Sequence, residues 1–215
     1  MAVTHAAALT QTVNTTPVAF NIGTGSDRFL VVGVLKQSSQ TCTGVTYNGV
    51  ALTKVATLAD SNVSVNEENT LWVSEGFQPA SGSNNIALTF SGAGTFIVVA
   101  TAWDGVDQTT GYESVNTSTS SSSVAGSVTV TSTTDNCVVN GFIRTGATWT
   151  ADSDTTKQGS TNTEMGYGDT TVTPAGAYSI GYTNATKRNL LALAVRPVGA
   201  GSPAQTARQG AVMMM

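Results

Sequence analysis

Apolar residues in this chain fall into short runs, separated by Gly, Asn, Asp, Ser and Thr, and nowhere recur at a sustained helical spacing. Residues 28–35 read RFLVVGVL, bounded by Gly25-Ser26-Asp27 and by the polar stretch 36–41. That pattern predicts a central strand buried on both faces. In residues 45–52 the pair Asn48-Gly49 lies between two alternating runs. Both residues of the pair accept positive φ, so a type I′ hairpin is expected there. Further strands are predicted over residues 70–75, with Trp72, and over 85–90, where Ile86, Leu88 and Phe90 alternate with Ala87 and Thr89. Residues 94–103 form a second long apolar run that Asp104-Gly105 ends. The rhythm resumes with Val124, Val128 and Val130 and continues over 136–144, 177–183 and 189–196. Residues 118–123, all Ser and Thr, read as an exposed loop, and 145–173, dominated by Gly, Asp and Thr, as a long decorated loop. About ten strands without intervening helices predict an all-β fold. The expected architecture is an antiparallel two-sheet β-sandwich, jelly-roll-like, formed by a single domain over residues 1–196, with an extended C-terminal arm over 197–215.

Composition sharpens this picture. Only 10% of the 215 residues are charged, against about 25% in ordinary soluble domains. The polar surface therefore comes from 21 Ser, 36 Thr and 14 Asn. Thr and Val favour the pleat. A net charge of −4, with nine scattered Lys and Arg, leaves no basic stripe to neutralise phosphates, so neither nucleic acid nor an anionic membrane is an expected partner. Residues 1–11 lack the basic and apolar regions of a secretory signal, and no apolar run reaches the roughly 18 residues of a membrane span. The expectation is synthesis in the cytosol without a membrane stage.

Candidate chemistry is sparse. Cys42 and Cys137 lie far apart without CxxC spacing and read as buried thiols, although a bridge between them stays open. Four Asn-x-Ser/Thr matches, at Asn14, Asn62, Asn116 and Asn184, are what a Thr-rich chain produces by chance. The sole histidine, His5, sits beside a start expected to be flexible, which argues against a Ser-His-Asp mechanism. Asp104 with Asp107, or Asp152 with Asp154, could be nominated as a carboxylate pair. Their Asp-Gly and Asp-Ser-Asp contexts suit turns better. Asp152, Asp154 and Asp169 could offer oxygens to calcium, but no EF-hand spacing accompanies them. The glycines around 23–25 and 91–94 precede no helix and read as turns. Trp72 and Trp103 lie in apolar strands and read as core. Trp149 borders the irregular segment and is the candidate platform for stacking a sugar. No catalytic, cofactor or metal residue is nominated, and no enzyme activity is expected.

The block Val45-Thr46-Tyr47-Asn48-Gly49-Val50-Ala51-Leu52-Thr53, with Leu71-Trp72, the stretch from Pro79 to Ile86, Phe90-Ser91-Gly92 and the run Trp103-Asp104-Gly105-Val106-Asp107-Gln108-Thr109-Thr110, resembles a β-sandwich module of tailed-phage virion proteins and bacterial surface proteins. The resemblance spans roughly residues 15–196 and implies attachment or display, with these residues serving as scaffold. It makes a virion structural protein the leading expectation, a capsid decoration or cement protein that binds the major capsid protein or other virion proteins. A homo-oligomer, with a trimer favoured, would multiply modest contacts. The arm, reading PVGAGSPAQTARQGAVMMM, would reach a neighbour through Arg208, Val212, Met213, Met214 and Met215. The alternative is a carbohydrate-binding adhesin or fibre-tip module that uses Trp149.

Overall fold

A computed structural model describes residues 2–13, 15–36, 40–60, 67–120, 126–145, 150–151, 156–161, 165–172, 174–183 and 188–199. Every regular element among them is a β-strand. The first half of the chain supplies β1 (Thr4–Val13), β2 (Val18–Asn21), β3 (Phe29–Lys36), β4 (Cys42–Tyr47), β5 (Val50–Ala51), β6 (Thr53–Asp60), β7 (Glu67–Val73), β8 (Ser83–Phe90) and β9 (Phe96–Asp104). The second half supplies β10 (Tyr112–Ser120), β11 (Gly126–Thr131), β12 (Cys137–Thr145), β13 (Thr150–Ala151), β14 (Thr156–Thr161), β15 (Met165–Val172), β16 (Ala177–Thr183) and β17 (Arg188–Val195).

The sandwich expected from the sequence is present, and it occurs twice in succession. In the first half an inner sheet ordered β1-β9-β3-β7-β6 packs on an outer sheet ordered β2-β8-β4-β5. In the second half an inner sheet ordered β10-β17-β12-β15-β14 packs on an outer sheet ordered β11-β16-β13. Setting aside the two-residue β5, the orders correspond strand for strand, and all pairings are antiparallel. The chain is thus a tandem repeat of one topology. The correspondence extends to detail: β1 is bulged against β9 between His5 and Ala7, and β10 against β17 between Glu113 and Val115.

Three apolar layers fill the gaps in this four-sheet stack. The first lies inside the N-terminal sandwich and includes Ile22, Leu30, Val32, Tyr47, Trp72 and Ile86. The third lies inside the C-terminal sandwich and includes Val128, Val130, Ile180, Tyr182 and Leu190. The second is the seam between the inner sheets, where Phe29, Val31, Leu71 and Trp103 meet Phe142, Leu191 and Leu193. The central strands β3, β9, β12 and β17 are therefore covered on both faces, which is why β3 and β9 read as nearly continuous apolar runs. Across the seam β1 lies over β14, β9 over β15, β7 over β17 and β6 over β10. Each contact and its reciprocal use corresponding strands, the signature of a two-fold, isologous interface inside one chain. The axis passes near the central strands, where a Cβ added to Gly33 of β3 would lie 3.2 Å from the ring of Phe142 on β12.

Several local expectations hold. Asn48 and Gly49 have φ of 49° and 78°, and Tyr47 pairs with Val50 across them. β3 is the middle strand of its sheet. Others need correction. The start of the chain is an edge strand: β1 pairs with β9 along its length, and His5 packs edge-on against Trp103, 5.2 Å between ring centres. Its alanines carry little strand propensity, so the neighbouring β9 supplies the order. The hydroxyl tract begins as strand, with Ser118 opposite Leu190 and Ser120 opposite Arg188. Hydroxyl side chains suit β10 because it is a sheet edge with one face towards water. Within 145–173 the chain forms β13, β14 and β15, and β15 pairs fully with β12. Gly168 lies opposite Gly141 there, so the ladder forms through the backbone without an apolar run to announce it.

Candidate interaction surface

The place where the two sandwiches are joined is also the place from which the C-terminal stretch departs. β9 and β17 end on the same side of the seam, and their continuations pair through an antiparallel bridge between Val106 and Pro197. Asp107 N donates to Arg196 O at 3.0 Å and Val198 N to Gly105 O at 2.9 Å. Gly105 N and Val106 N donate to Ser26 O and Asp27 O, each at 3.0 Å. Side chains reinforce this clasp. Gln108 Nε2 reaches Arg28 O at 3.1 Å, and the Arg196 guanidinium reaches Thr110 Oγ1 at 2.7 Å. The first residues of the expected arm, Pro197 and Val198, are thereby tied to the body. Arg208, Val212, Met213, Met214 and Met215 lie outside the described residues.

Of the acids considered from the sequence, Asp107 forms a local turn and Asp104 meets a distant loop. Asp107 Oδ1 accepts the backbone N–H groups of Thr109 at 2.8 Å and Thr110 at 3.2 Å, the self-bonding turn expected of it. Asp104 lies against the backbone of Gly25 so closely that a Cβ at that position would strike its carboxylate. Burial holds the Asp104 carboxyl above its ordinary value, the Arg28 guanidinium opposes this, and Asp27 adds to it. Arg28 is itself held by Gly25 O and by Pro79 O, the latter at 2.9 Å. Asp152 and Asp154 lie outside the described residues, and Asp169 occupies a ladder position of β15 opposite Asn140. Among the described residues no group of three His, Cys, Asp or Glu side chains is assembled for a metal ion.

One polar centre was not anticipated. Glu113, at the bulge of β10, reaches into the turn between β11 and β12. Its carboxylate accepts from Ser132 Oγ at 2.6 Å, Thr133 N at 3.0 Å, Thr133 Oγ1 at 2.7 Å, Thr134 N at 3.1 Å and Cys137 Sγ at 3.2 Å. Desolvation pushes this carboxyl up, but the bonds from Ser132, Thr133, Cys137 and Thr134 outweigh it and bring it down to about 2. The neighbouring Cys137 thiol is pushed up to about 12, by burial first and by Glu113 in addition, with Ser132 and Arg196 opposing. A thiol held so firmly protonated is no nucleophile. Cys42 and Cys137 are buried thiols in different apolar layers with no disulfide between them, which excludes the bridge left open by the sequence. The Thr131-Ser132-Thr133-Thr134 run is a string of donors, but the carboxylate beside it in sequence is Asp135, so nothing local pointed to Glu113 as its acceptor.

The broad surfaces of the stack are its two outer sheets. On the N-terminal outer sheet the outward positions include Ala19, Thr46, Asn85, Ala87 and Thr89. On the C-terminal outer sheet they include Ser127, Thr129, Thr131, Ala177 and Ser179. No Lys, Arg, Asp or Glu stands in the described strands of either outer sheet. Val50, at the hairpin edge, is the large exposed apolar side chain among the described residues. Trp72 and Trp103 are core, as expected, with exposures of 4% and 1%. Trp149 lies outside the described residues. Fold and surfaces together define an all-β protein of stacked antiparallel sheets with neutral broad faces. No family model, curated protein or solved structure matches the chain.

Proposed function

We propose that the protein is a structural component of a tailed-phage virion, a capsid decoration or cement protein that binds and stabilises the shell. The observation that carries this reading is a pair of outer sheets, on opposite sides of a four-sheet stack, whose described strands carry no Lys, Arg, Asp or Glu. Such faces can bury against protein neighbours without stranding ions. Each face is small: three or four strands spaced about 4.8 Å apart and some 20 Å long cover roughly 300–400 Å². That is about half of what one partner contributes to a standard stable interface. Single contacts would therefore be weak, and retention would depend on many of them acting together on a lattice, with a homo-oligomer, trimer favoured, supplying the multiplicity. The clasp at Val106 and Pro197 anchors the C-terminal stretch at one end, from which the remainder would reach a neighbouring subunit.

The test is to mix the purified protein with undecorated shells and heat them. Co-sedimentation and a higher shell melting temperature are expected. Shells that neither retain the protein nor gain thermal stability would reject the proposal, and a glycan-array signal lost on Trp149→Ala would favour an adhesin instead.

A further inference from the structure

The seam between the two sandwiches holds three asparagines with no exposed surface, Asn69, Asn140 and Asn189. Asn140 is partly satisfied, since Thr101 Oγ1 on the opposite sheet donates to its Oδ1 at 2.9 Å. Asn69 and Asn189 are not: neither Nδ2 nor Oδ1 of either residue has a hydrogen-bond partner among the described residues. Two contacts fix how the sheets are aligned. Thr101 meets Asn140, and Gly33 abuts Phe142. Gly33 pairs with Leu71 on β7, and Phe142 with Leu191 on β17. β7 lies over β17. Two residues further from the clasp, on the same inward faces, these facing strands carry Asn69 and Asn189. By this register the two buried asparagines stand at corresponding levels on facing strands, Asn69 with Leu58 as its ladder partner.

Each carboxamide has two donors and two acceptor lone pairs, so a single direct bond between them would leave most of this capacity unmet. Left dry, each unsatisfied group lowers the folding equilibrium constant by roughly tenfold to a hundredfold. We propose that this end of the seam is a built hydration site in which at least one water, a ligand that both donates and accepts, bridges Asn69 and Asn189. The seam then has two unlike ends. One is knit by backbone bonds around Val106 and Pro197, and the other is held by an exchangeable bridge.

Two measurements on the full chain test this. In NMR spectra, magnetisation transfer from long-lived water to the side-chain amide protons of both Asn69 and Asn189 is expected. In denaturant titrations, Asn69→Leu and Asn189→Leu should each lower the folding constant about tenfold or more, because each strands the other amide, while the double variant should return to within about threefold of the parent. Strictly additive losses, or amide protons without water transfer, would overturn the proposal. So would a high-resolution structure with the two carboxamides bonded directly and no density between them. The water experiment needs no variant, so poor folding of a leucine variant leaves it decisive.

Discussion

Replacing Gly33 by alanine tests whether the seam is packed as tightly as a domain core. The glycine sits in β3 on the face turned to the second sandwich, and its new Cβ would lie 3.2 Å from Cγ and 3.3 Å from Cδ2 of Phe142. Comfortable carbon–carbon contact is about 3.5–4.0 Å, so one partner must give by several tenths of an ångström. Phe142 has no exposed surface and shares its layer with Leu71, Leu191 and Leu193. It has little room to yield. Overpacking of this kind costs about 1–3 kcal/mol. Removing a glycine from a compatible strand position returns about 0.4–1 kcal/mol by restricting the unfolded chain. The net expectation is a loss of about 1–2 kcal/mol, or about 2–8 °C in melting temperature for a chain of this size. Gly33→Val, with two further methyl groups in the same gap, should lose more. Combining Gly33→Ala with Phe142→Leu should cost less than the sum of the single changes, because the smaller side chain frees the space the new methyl needs. Urea unfolding followed by tryptophan fluorescence and by far-UV circular dichroism measures these variants and Phe142→Leu alone. A stable Gly33→Val protein, or strict additivity in the double variant, would refute the reasoning that the repeats share a close-packed core.

Glu113→Gln should make stability less sensitive to acid. The folded carboxyl at about 2 lies below the ordinary glutamate value, so its contribution is complete above about pH 5 and is lost as pH falls towards 2. Full linkage would be worth about 3 kcal/mol, and screening at this half-exposed site reduces that to about 1–2 kcal/mol. The parent and variant unfolding curves should therefore converge between pH 5 and 2, and a constant difference would count against the latch. Asp104→Asn should act in the opposite sense. Burial raises this carboxyl, so ionisation costs stability as pH rises through the ordinary and then the folded value, and the variant should gain at pH 7 but not at pH 3 in thermal melts. Both cysteines should resist a thiol reagent in the native protein and react on unfolding, since both are buried and the Cys137 thiol is pushed up to about 12. Truncation after Gly199 should leave the melting temperature within about 2 °C while reducing retention on shells, as read by co-sedimentation.

Strands that bury both faces announce themselves, because nothing polar interrupts them: β3 and β9 are plain in RFLVVGVL and TFIVVATAW. The hairpin at Asn48-Gly49 is equally plain, since its φ values admit few other residues. The repeat is hidden for a physical reason. Val31-Val32-Gly33-Val34-Leu35-Lys36 and Val139-Asn140-Gly141-Phe142-Ile143-Arg144 look alike when their glycines are aligned. Yet Gly33 faces Phe142 across the seam, whereas Gly141 faces Ile180 inside its own sandwich. Side chains alternate across a strand, so matching the glycines reverses every face. The true correspondence is one residue further along, and it pairs Gly33 with Phe142 itself. The polar centres were invisible for a related reason: Glu113 and its donors, like Asn69 and Asn189, are far apart in sequence and meet only through strand order.

The repeat changes what a charge-poor composition means. A single two-sheet sandwich would leave its polar strand faces in water, and abundant Ser and Thr would then be a solvent coat. In the four-sheet stack the central strands of the inner sheets have no solvent face, so among the described strands the hydroxyl residues fall mainly on the two outer sheets and on edge strands such as β10. Burying a small hydroxyl against a partner costs far less than burying a charge, because one well-placed acceptor compensates it. Two outer sheets without charged strand residues, on opposite sides of a shared core, would then suit the proposed attachment to neighbours on both sides. The direct check is to place a charge on each face in turn. Thr46→Lys and Thr129→Lys stand at outward positions and should change stability by less than about 0.5 kcal/mol. If both faces engage the shell, each substitution alone should weaken retention and the pair should abolish it. Retention that survives both charges would remove the faces from the argument and leave the C-terminal stretch as the sole means of attachment.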